Sequence, residues 1–277
     1  MHIDSLTTYP LSGARGIAMT HAELGPAGLQ NDRLYVAYDP ETYERVSCKP
    51  SEAPALRRIE PEIVGDQLRL YLGDEYGRYD GETIITPLKL GDAVTVYEFE
   101  EATPCNDLGD ETADKISKYL GQNLRLARKT DEWMAGGIIL PSKRANAPLH
   151  ITHEGSQDRV KQVSSAPGNM AQHFRSSIVV GGVEFDNFSE LKWKLLRAGK
   201  AIISINSVTL RCPVPDQHPR TGKPMKQVAK ANLVLPQAPS KSGKLKRVFG
   251  VYGSLVGTDP VVLGVGDEVE VLDTRTS

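Results

Sequence analysis

The feature that most constrains this chain is a period-two alternation in short runs, each cut off by proline, glycine or aspartate. In RIEPEIVGDQLRLYLGD (58–74), Leu68, Leu70 and Leu72 fall on one side, and Gln67, Arg69 and Tyr71 on the other. Successive side chains of a strand point to opposite faces, so such a run reads as a half-buried strand. DAVTVYEFE (92–100) repeats the pattern, with Val94 and Val96 on one face. LRLARK (124–129), RSSIVVGGVEF (175–185), KAIISINSVTL (200–210) and DEVEVL (267–272) are further strand candidates. Many short strands with turn residues between them close into barrels or sandwiches. The expected fold class is therefore mainly β with a few helices.

LKLGDAVTVY (88–97) echoes LGVGDEVEVL (263–272), each with a Gly-Asp turn before an alternating strand. The echo suggests two β units, each closed by a similar hairpin. DLGDETADKISKYLGQ (107–122) is the best helix candidate. Asp107 or Asp110 can cap it, Ala113, Ile116 and Leu120 make its apolar stripe, and Gly121 suits its end. FSELKWKLLRAG (188–199) also has a helical look, with Ser189 as cap and Gly199 as stop. QVSSAPGNMAQHF (162–174) has room for only a turn or a short helix around Pro167 and Gly168.

Composition excludes several classes of function. At 39% hydrophobic and 25% charged, the 277 residues are ordinary globular material that can bury a substantial core without staples. A formal charge of −2 provides no basic field for nucleic acid, and the cluster KSGKLKR (241–247) reads as a solvated loop. No stretch approaches eighteen apolar residues, so no membrane span is expected. The start, MHIDSLTTYPLSGARG, has no apolar signal-peptide core. Cys48, Cys105 and Cys212 are widely spaced and odd in number, which fits a reducing cytoplasm better than a disulfide framework.

Chemistry concentrates at RCPVPDQHPRTGKP (211–224). Pro213 and Pro215 cannot donate to a sheet, so Cys212 is placed at a strand end opening into a loop. There it is either a small apolar residue or a thiolate that binds a soft metal, with Arg211, Arg220 and Lys223 nearby. Cys48 reads as structural. Cys105 reads as packing, although a position just before a helix could lower a thiol pKa. His150 and His153, in PLHITH, would point to opposite faces of a strand and so not share a metal. Arg33, in GPAGLQNDRLYVAYD (25–39), is a fixed anion donor or a salt-bridge partner. Arg175, with Ser176 and Ser177 in HFRSSIVVGG (173–182), is an anion donor or an ordinary strand entry. Two distant arginines and a thiol would suit a phosphate-bearing, metal-carrying cofactor.

These segments, in this order, resemble the MOSC family, the molybdenum cofactor sulfurase C-terminal domain proteins, in the form preceded by a MOSC N-terminal β-barrel domain. The resemblance is carried by LTTYPLSGARG (6–16), GLQNDRLYVAYD (28–39), VSCKPSEAPALRRIEP (46–61), CNDLGDETADKISKYLGQNLRLAR (105–128), FRSSIVVGG (174–182), RCPVPDQHPRTGKP and FGVYGSLVGTDPVVLGVGDEVEVL (249–272). It implies a MOSC N-terminal β-barrel domain over 1–100 and a β-barrel MOSC domain with its linking helix over 101–277. It also implies a molybdopterin-type molybdenum cofactor. Cys212 takes the place of the cysteine that ligates the metal in the reductase branch, where a soft metal suits a thiolate. Arg33 and Arg175 resemble the pterin-phosphate positions, and Arg211 and Tyr252 cofactor-contacting positions. Ser177 stands where the family has asparagine.

Some positions depart from the family pattern. Ser12 and Gly13 occupy the places of a lysine and a serine in the opening loop, with Arg15 as an offset substitute. Pro167 replaces a serine, and Thr209 a second cysteine. The resemblance leads to a molybdenum-dependent oxidoreductase acting on N-oxygenated small molecules, with electrons from a separate electron-transfer protein. The alternatives are a sulfur carrier with a Cys212 persulfide, or an accessory binding module that has lost the cofactor.

Overall fold

The first strand, His2–Thr8, does not join its neighbours in sequence. It pairs antiparallel with Ile178–Gly181, in the far half of the chain, with Leu6 opposite Ile178 and His2 opposite Gly181. The computed structural model describes residues 1–98, 101–134, 148–182, 187–240 and 242–275. Among them, one large sheet runs in the order Ile17–Met19, His2–Thr8, Ile178–Gly181, Leu149–His153, Leu245–Leu255, Ala201–Leu210, Trp193–Ala198 and Val269–Thr274. Ile3, Leu6, Ile151, Ile178, Trp193, Ile203 and Val251 meet in its core.

A second core lies in the first half. Leu68, Leu70 and Leu72 are almost wholly buried, as the alternation requires, and pack with Leu11, Tyr35, Leu56, Ile84, Ile116 and Leu126. The sheets around this core are Glu60–Val64, Gln67–Gly73 and Tyr79–Ile85, and a five-stranded set that includes Tyr35–Tyr38, Ala93–Glu98, Glu101–Asp107 and Arg125–Lys129. The helix Asp110–Leu120 lies against this core through Ile116 and ends on left-handed Gly121. Its N-cap is Gly109, not an aspartate: Asp107 belongs to the preceding strand and accepts a bond from Gly109 N at 2.7 Å, while Asp110 begins the helix. A third cluster joins helical pieces to the large sheet, with Val160, Met170, Phe174 and Val228 against Phe249.

Four expectations need correcting. Residues 188–199 form a short 3-10 turn, Ser189–Lys192, followed by the strand Trp193–Ala198. Trp193, Leu196 and Ala198 are buried in the large sheet, whose pairing on both sides overrides the local helical tendency. Gly199, at φ 53°, turns the chain into the next strand instead of stopping a helix. The Gly-Asp echo does not mark two closing hairpins: Val261–Gly264 pairs with His21–Gly25, whereas Val269–Thr274 pairs with Trp193–Ala198, so that turn is a corner between sheets. The basic cluster is only partly loop, since residues 245–247 open the strand Leu245–Leu255; Lys241 lies outside the described residues, as do 99–100 and 183–185 of two predicted strands. The helix Glu154–Ser164, capped by the His153 ring, was not expected. The short helix Met170–Phe174, capped by Asn169, falls within the segment where one was allowed.

If the first strand holds the two halves together, its core residue is costly to truncate. Leu6→Ala is expected to lower the unfolding free energy by about 3 kcal/mol, against less than about 0.5 kcal/mol for exposed Leu88→Ala, as read by urea denaturation.

Candidate functional site

Continuing the register of the first strand by three residues sets Tyr9 against Arg175. The Arg175 guanidinium carbon lies 4.2 Å from the Tyr9 ring centroid, and the Tyr9 hydroxyl donates to Ser176 O at 3.3 Å. On its other side Tyr9 is tied to the Arg33 segment. Tyr9 N donates to Asp32 Oδ1 at 2.7 Å, Arg33 N donates to Tyr9 O at 2.8 Å, and Ser12 N donates to Tyr35 O at 2.9 Å. One buried tyrosine therefore carries both arginines. Burial pushes its hydroxyl up to about 12, against the pull of Arg175, Arg33 and Arg57.

Arg33 pairs with Asp32. Arg175 has no acidic partner among the described residues and donates to Ala14 O. Burial, helped by the charges of Arg57 and Arg33, holds its guanidinium down to about 10, while Cys48 and Tyr9 act in the opposite direction. Both arginines have left-handed backbones, with φ of 54° and 58°. Such conformations are unfavourable for residues with a Cβ and gather at functional sites.

Opposite them, the strand Ala201–Leu210 ends and Arg211 N still bonds to Arg247 O at 2.9 Å. Cys212 follows and is exposed. The Arg211 side chain is 8% exposed, pairs with Asp216 at 2.6 Å, and lies 5.6 Å from the centroid of Phe174, which stacks on Phe249. The loop beyond is gripped by the first half of the chain. Arg58 Nε donates to Thr221 O at 3.2 Å, Arg15 Nη2 donates to Arg220 O at 3.2 Å, and a Cβ on Gly222 would collide with Pro54 O.

These elements enclose a cavity of about 500 Å³. Ser12, Arg33, Arg175, Arg211, Cys212 and Tyr252 all line it. Ser177 is not among its lining residues; it is wholly buried, its N donates to His150 O, and its hydroxyl has no partner. Arg15 does not take the place of the family lysine, because it turns to Glu60 at 2.7 Å and to Gly77 O. Thr209 lines the cavity with an unpartnered hydroxyl.

Several lining residues escaped sequence reading. Cys48, read there as structural or incidental, is 3% exposed and packs in the second core as a structural cysteine does, and it also lines the cavity, beside Ser47 and Lys49. The proximity of Lys49 in VSCKPSE was the available signal. His150 lines it as well, with Nε2 3.2 Å from Phe249 O and Nδ1 3.4 Å from Arg175 O, and its ring tilts against Tyr252. His153 lies across the strand against Trp193, on the opposite face as the spacing required. Cys105 sits within the strand Glu101–Asp107, not at a helix start, and burial pushes its thiol up to about 12.

The donor set fits an anionic group that carries a soft metal. Arg33, Arg45, Lys49, Arg175 and Arg211 line the cavity, and Glu101 is the only carboxylate among its described lining residues. The buried Ser12 hydroxyl and Arg211 Nη1 lack partners, as donors awaiting acceptors do. An accessible thiolate is a suitable soft ligand at the cavity's edge.

The family model of the MOSC N-terminal beta barrel domain matches residues 1–123, and that of the MOSC domain matches residues 131–270. Among curated proteins, a molybdenum cofactor sulfurase of Drosophila grimshawi is 27% identical over 280 residues, covering 96% of this chain and 34% of its own length. A molybdenum cofactor sulfurase of Danio rerio is 23% identical over 303 residues, again covering 96% of this chain and 34% of its own length. The chain thus spans about a third of the length of these relatives. The solved YuaD protein of Bacillus subtilis aligns over 96% of this chain and 92% of its own, at TM-score 0.41 and 8% identity.

His150 gives the site a pH signature. Burial, reinforced by the Arg33 charge, lowers its pKa to about 4, whereas an unfolded histidine titrates near 6.5. Between these values the unfolded chain binds the additional proton, so stability falls as pH drops from about 6.5 towards 4. His150→Asn is expected to flatten the slope of unfolding free energy against pH in that window, measured by urea denaturation at each pH.

Proposed function

Because the chain belongs to the MOSC family, with the N-terminal β-barrel domain ahead of the MOSC domain, we propose that it is a molybdenum-cofactor oxidoreductase that reduces N-oxygenated small molecules. The observation that carries this reading is an exposed thiol, Cys212, at the edge of a cationic cavity whose buried donors lack partners. In this reading Cys212 is the protein ligand to molybdenum. Arg33 and Arg175 would hold the cofactor phosphate from opposite sides of Tyr9. Arg211, Tyr252 and the Ser12 hydroxyl would contact the rest. When bound, the cofactor supplies two-electron chemistry at a soft metal.

The chain's own part is to bind, orient and shield. Phe174 and Phe249 make an apolar wall beside Arg211 that limits water. His150, kept neutral by burial, does not add to the cation count at neutral pH. Three cysteines are too few for a four-thiolate iron–sulfur cluster, so in this reading the electrons arrive from outside these 277 residues, through an electron-transfer protein or domain.

A second reading is sulfur transfer through a Cys212 persulfide. It is favoured by the relatives, which are called molybdenum cofactor sulfurases. The two are separated by expressing the protein in a host that makes the cofactor, with molybdate present. The reductase reading predicts about one molybdenum and one organic phosphate per chain, with molybdenum reduced at least tenfold in Cys212→Ser. Cyanide-labile sulfur on Cys212 without molybdenum would support transfer instead. Neither metal nor labile sulfur, with host activity unchanged in Cys212→Ser, would leave an accessory module.

A further inference from the structure

Charge is not spread evenly along this chain. Residues 211–247 hold nine lysines and arginines against one acid, Asp216, whereas the whole chain carries a net charge of −2. Asp216 is itself paired with Arg211. The segment is therefore a strongly basic band on an otherwise acidic protein.

The band is anchored on one side and open on the other. Val228, Ala231 and Leu235 are buried and pack with Phe174 and Phe249 in the third core. Beyond Leu235 the chain runs out into a two-stranded finger. Gln237–Pro239 pairs antiparallel with the start of the strand Leu245–Leu255, Gln237 opposite Arg247 and Pro239 opposite Leu245, and stands off the path of the large sheet. Arg247 Nη1 donates to Leu235 O at 2.7 Å and Val248 N to Pro236 O at 3.0 Å, which fixes the base. Ser240 N donates to Lys244 O and Gly243 N to Ser240 O, both at 2.8 Å, at the tip. Lys244, Leu245 and Lys246 are all exposed. Neighbouring strand residues point to opposite faces, so solvent reaches the finger from two sides. Lys230 and Leu233 are exposed on the approach to it. Leu233 and Leu245 are 80% and 66% exposed. No carboxylate among the described residues pairs with Lys230, Lys244 or Lys246.

A single exposed leucine is ordinary. Two of them among unpaired lysines have the composition that an anionic lipid surface accepts, with ammonium groups at the headgroups and leucines in the acyl boundary. The same composition makes a poor protein interface. Interface cores are depleted in lysine and take their energy from Trp, Tyr and Arg, and residues 225–246 contain no aromatic residue and no arginine.

We propose that this finger, with Lys230 and Leu233 at its base, docks on an anionic lipid surface. The contact requires neither molybdenum nor Cys212, so it stands or falls apart from the oxidoreductase reading. Because Arg211 N bonds to Arg247 O, docking would hold the Cys212 end of the cavity close to the headgroups.

The test is co-sedimentation with vesicles of phosphatidylcholine alone, or with about 30% phosphatidylserine, in about 0.1 M salt, where exposed charges act over roughly 10 Å. Wild type is expected to bind the anionic vesicles at least about tenfold more tightly than the neutral ones. Lys244→Glu with Lys246→Glu should lower that binding about tenfold or more. Leu245→Ser, which leaves the charge unchanged, should lower it at least about threefold. Lys115→Glu with Lys118→Glu, on the helix Asp110–Leu120, makes the same change in net charge and should leave binding within about twofold of wild type, because screening keeps distant charges from acting. Lys244→Gln with Lys246→Gln replaces the charge reversal if that variant does not fold. The proposal is overturned if wild type does not bind anionic vesicles, if the finger variants bind as wild type does, or if the Lys115 and Lys118 reversal weakens binding equally. Finger-dependent binding to poly-glutamate without vesicle binding also overturns it, in favour of an acidic protein partner.

Discussion

The antiparallel pairing of His2–Thr8 with Ile178–Gly181 is the contact on which the site depends. It joins the beginning of the chain to a strand some 170 residues away. Its register continues into the loops at one end, and there Tyr9 meets Arg175. A one-residue slip would turn Leu6 out of the core and Tyr9 away from the arginine at once. The same hydrophobic burial that fixes the fold therefore fixes the placement of two cations. Loop-closure entropy opposes such a long-range pairing, which the burial of Ile3 and Leu6 in the large core offsets.

Charge is the second constraint. The cavity gathers cations that the protein neutralises only in part: among the described residues Asp32 serves Arg33, Asp216 serves Arg211, Glu98 serves Arg45 and Glu52 serves Lys49, while Arg175 has a carbonyl and the Tyr9 ring as partners. Left-handed backbones at Arg33 and Arg175 add strain of order 1–3 kcal/mol each. Unpaired buried charge and strained backbone both lower stability, and both occur at this one place. A fold selected only for stability would replace them with apolar side chains. Their concentration around Tyr9 is what supports the proposal of an anion site there.

Much of this was legible in residues and spacing. The Leu68, Leu70, Leu72 alternation and the Asp110–Leu120 helix report local periodicity, which requires no partner to be read. Cys212 at a strand end followed from Pro213 and Pro215, which cannot continue a ladder. The misses share a cause, since each depends on what packs against a segment. Trp193–Ala198 has helix-compatible residues but two strands beside it. Cys48 and Arg57 sit among polar or basic neighbours in sequence, yet the tertiary fold buries both. Arg15 has the charge to replace a lysine, but Glu60 and the Gly77 carbonyl draw it elsewhere. Ser177 is near Arg175 in sequence, and strand geometry still sets it outside the cavity lining.

In the proposed function Cys212 is the protein's sulfur ligand to a soft metal held in the cationic cavity. X-ray absorption at the molybdenum edge tests it most directly, on protein loaded in a cofactor-producing host. If Cys212 is the ligand, the sulfur shell around molybdenum loses one scatterer when Cys212 is replaced by serine. A sulfur shell identical in the native and serine proteins would contradict it.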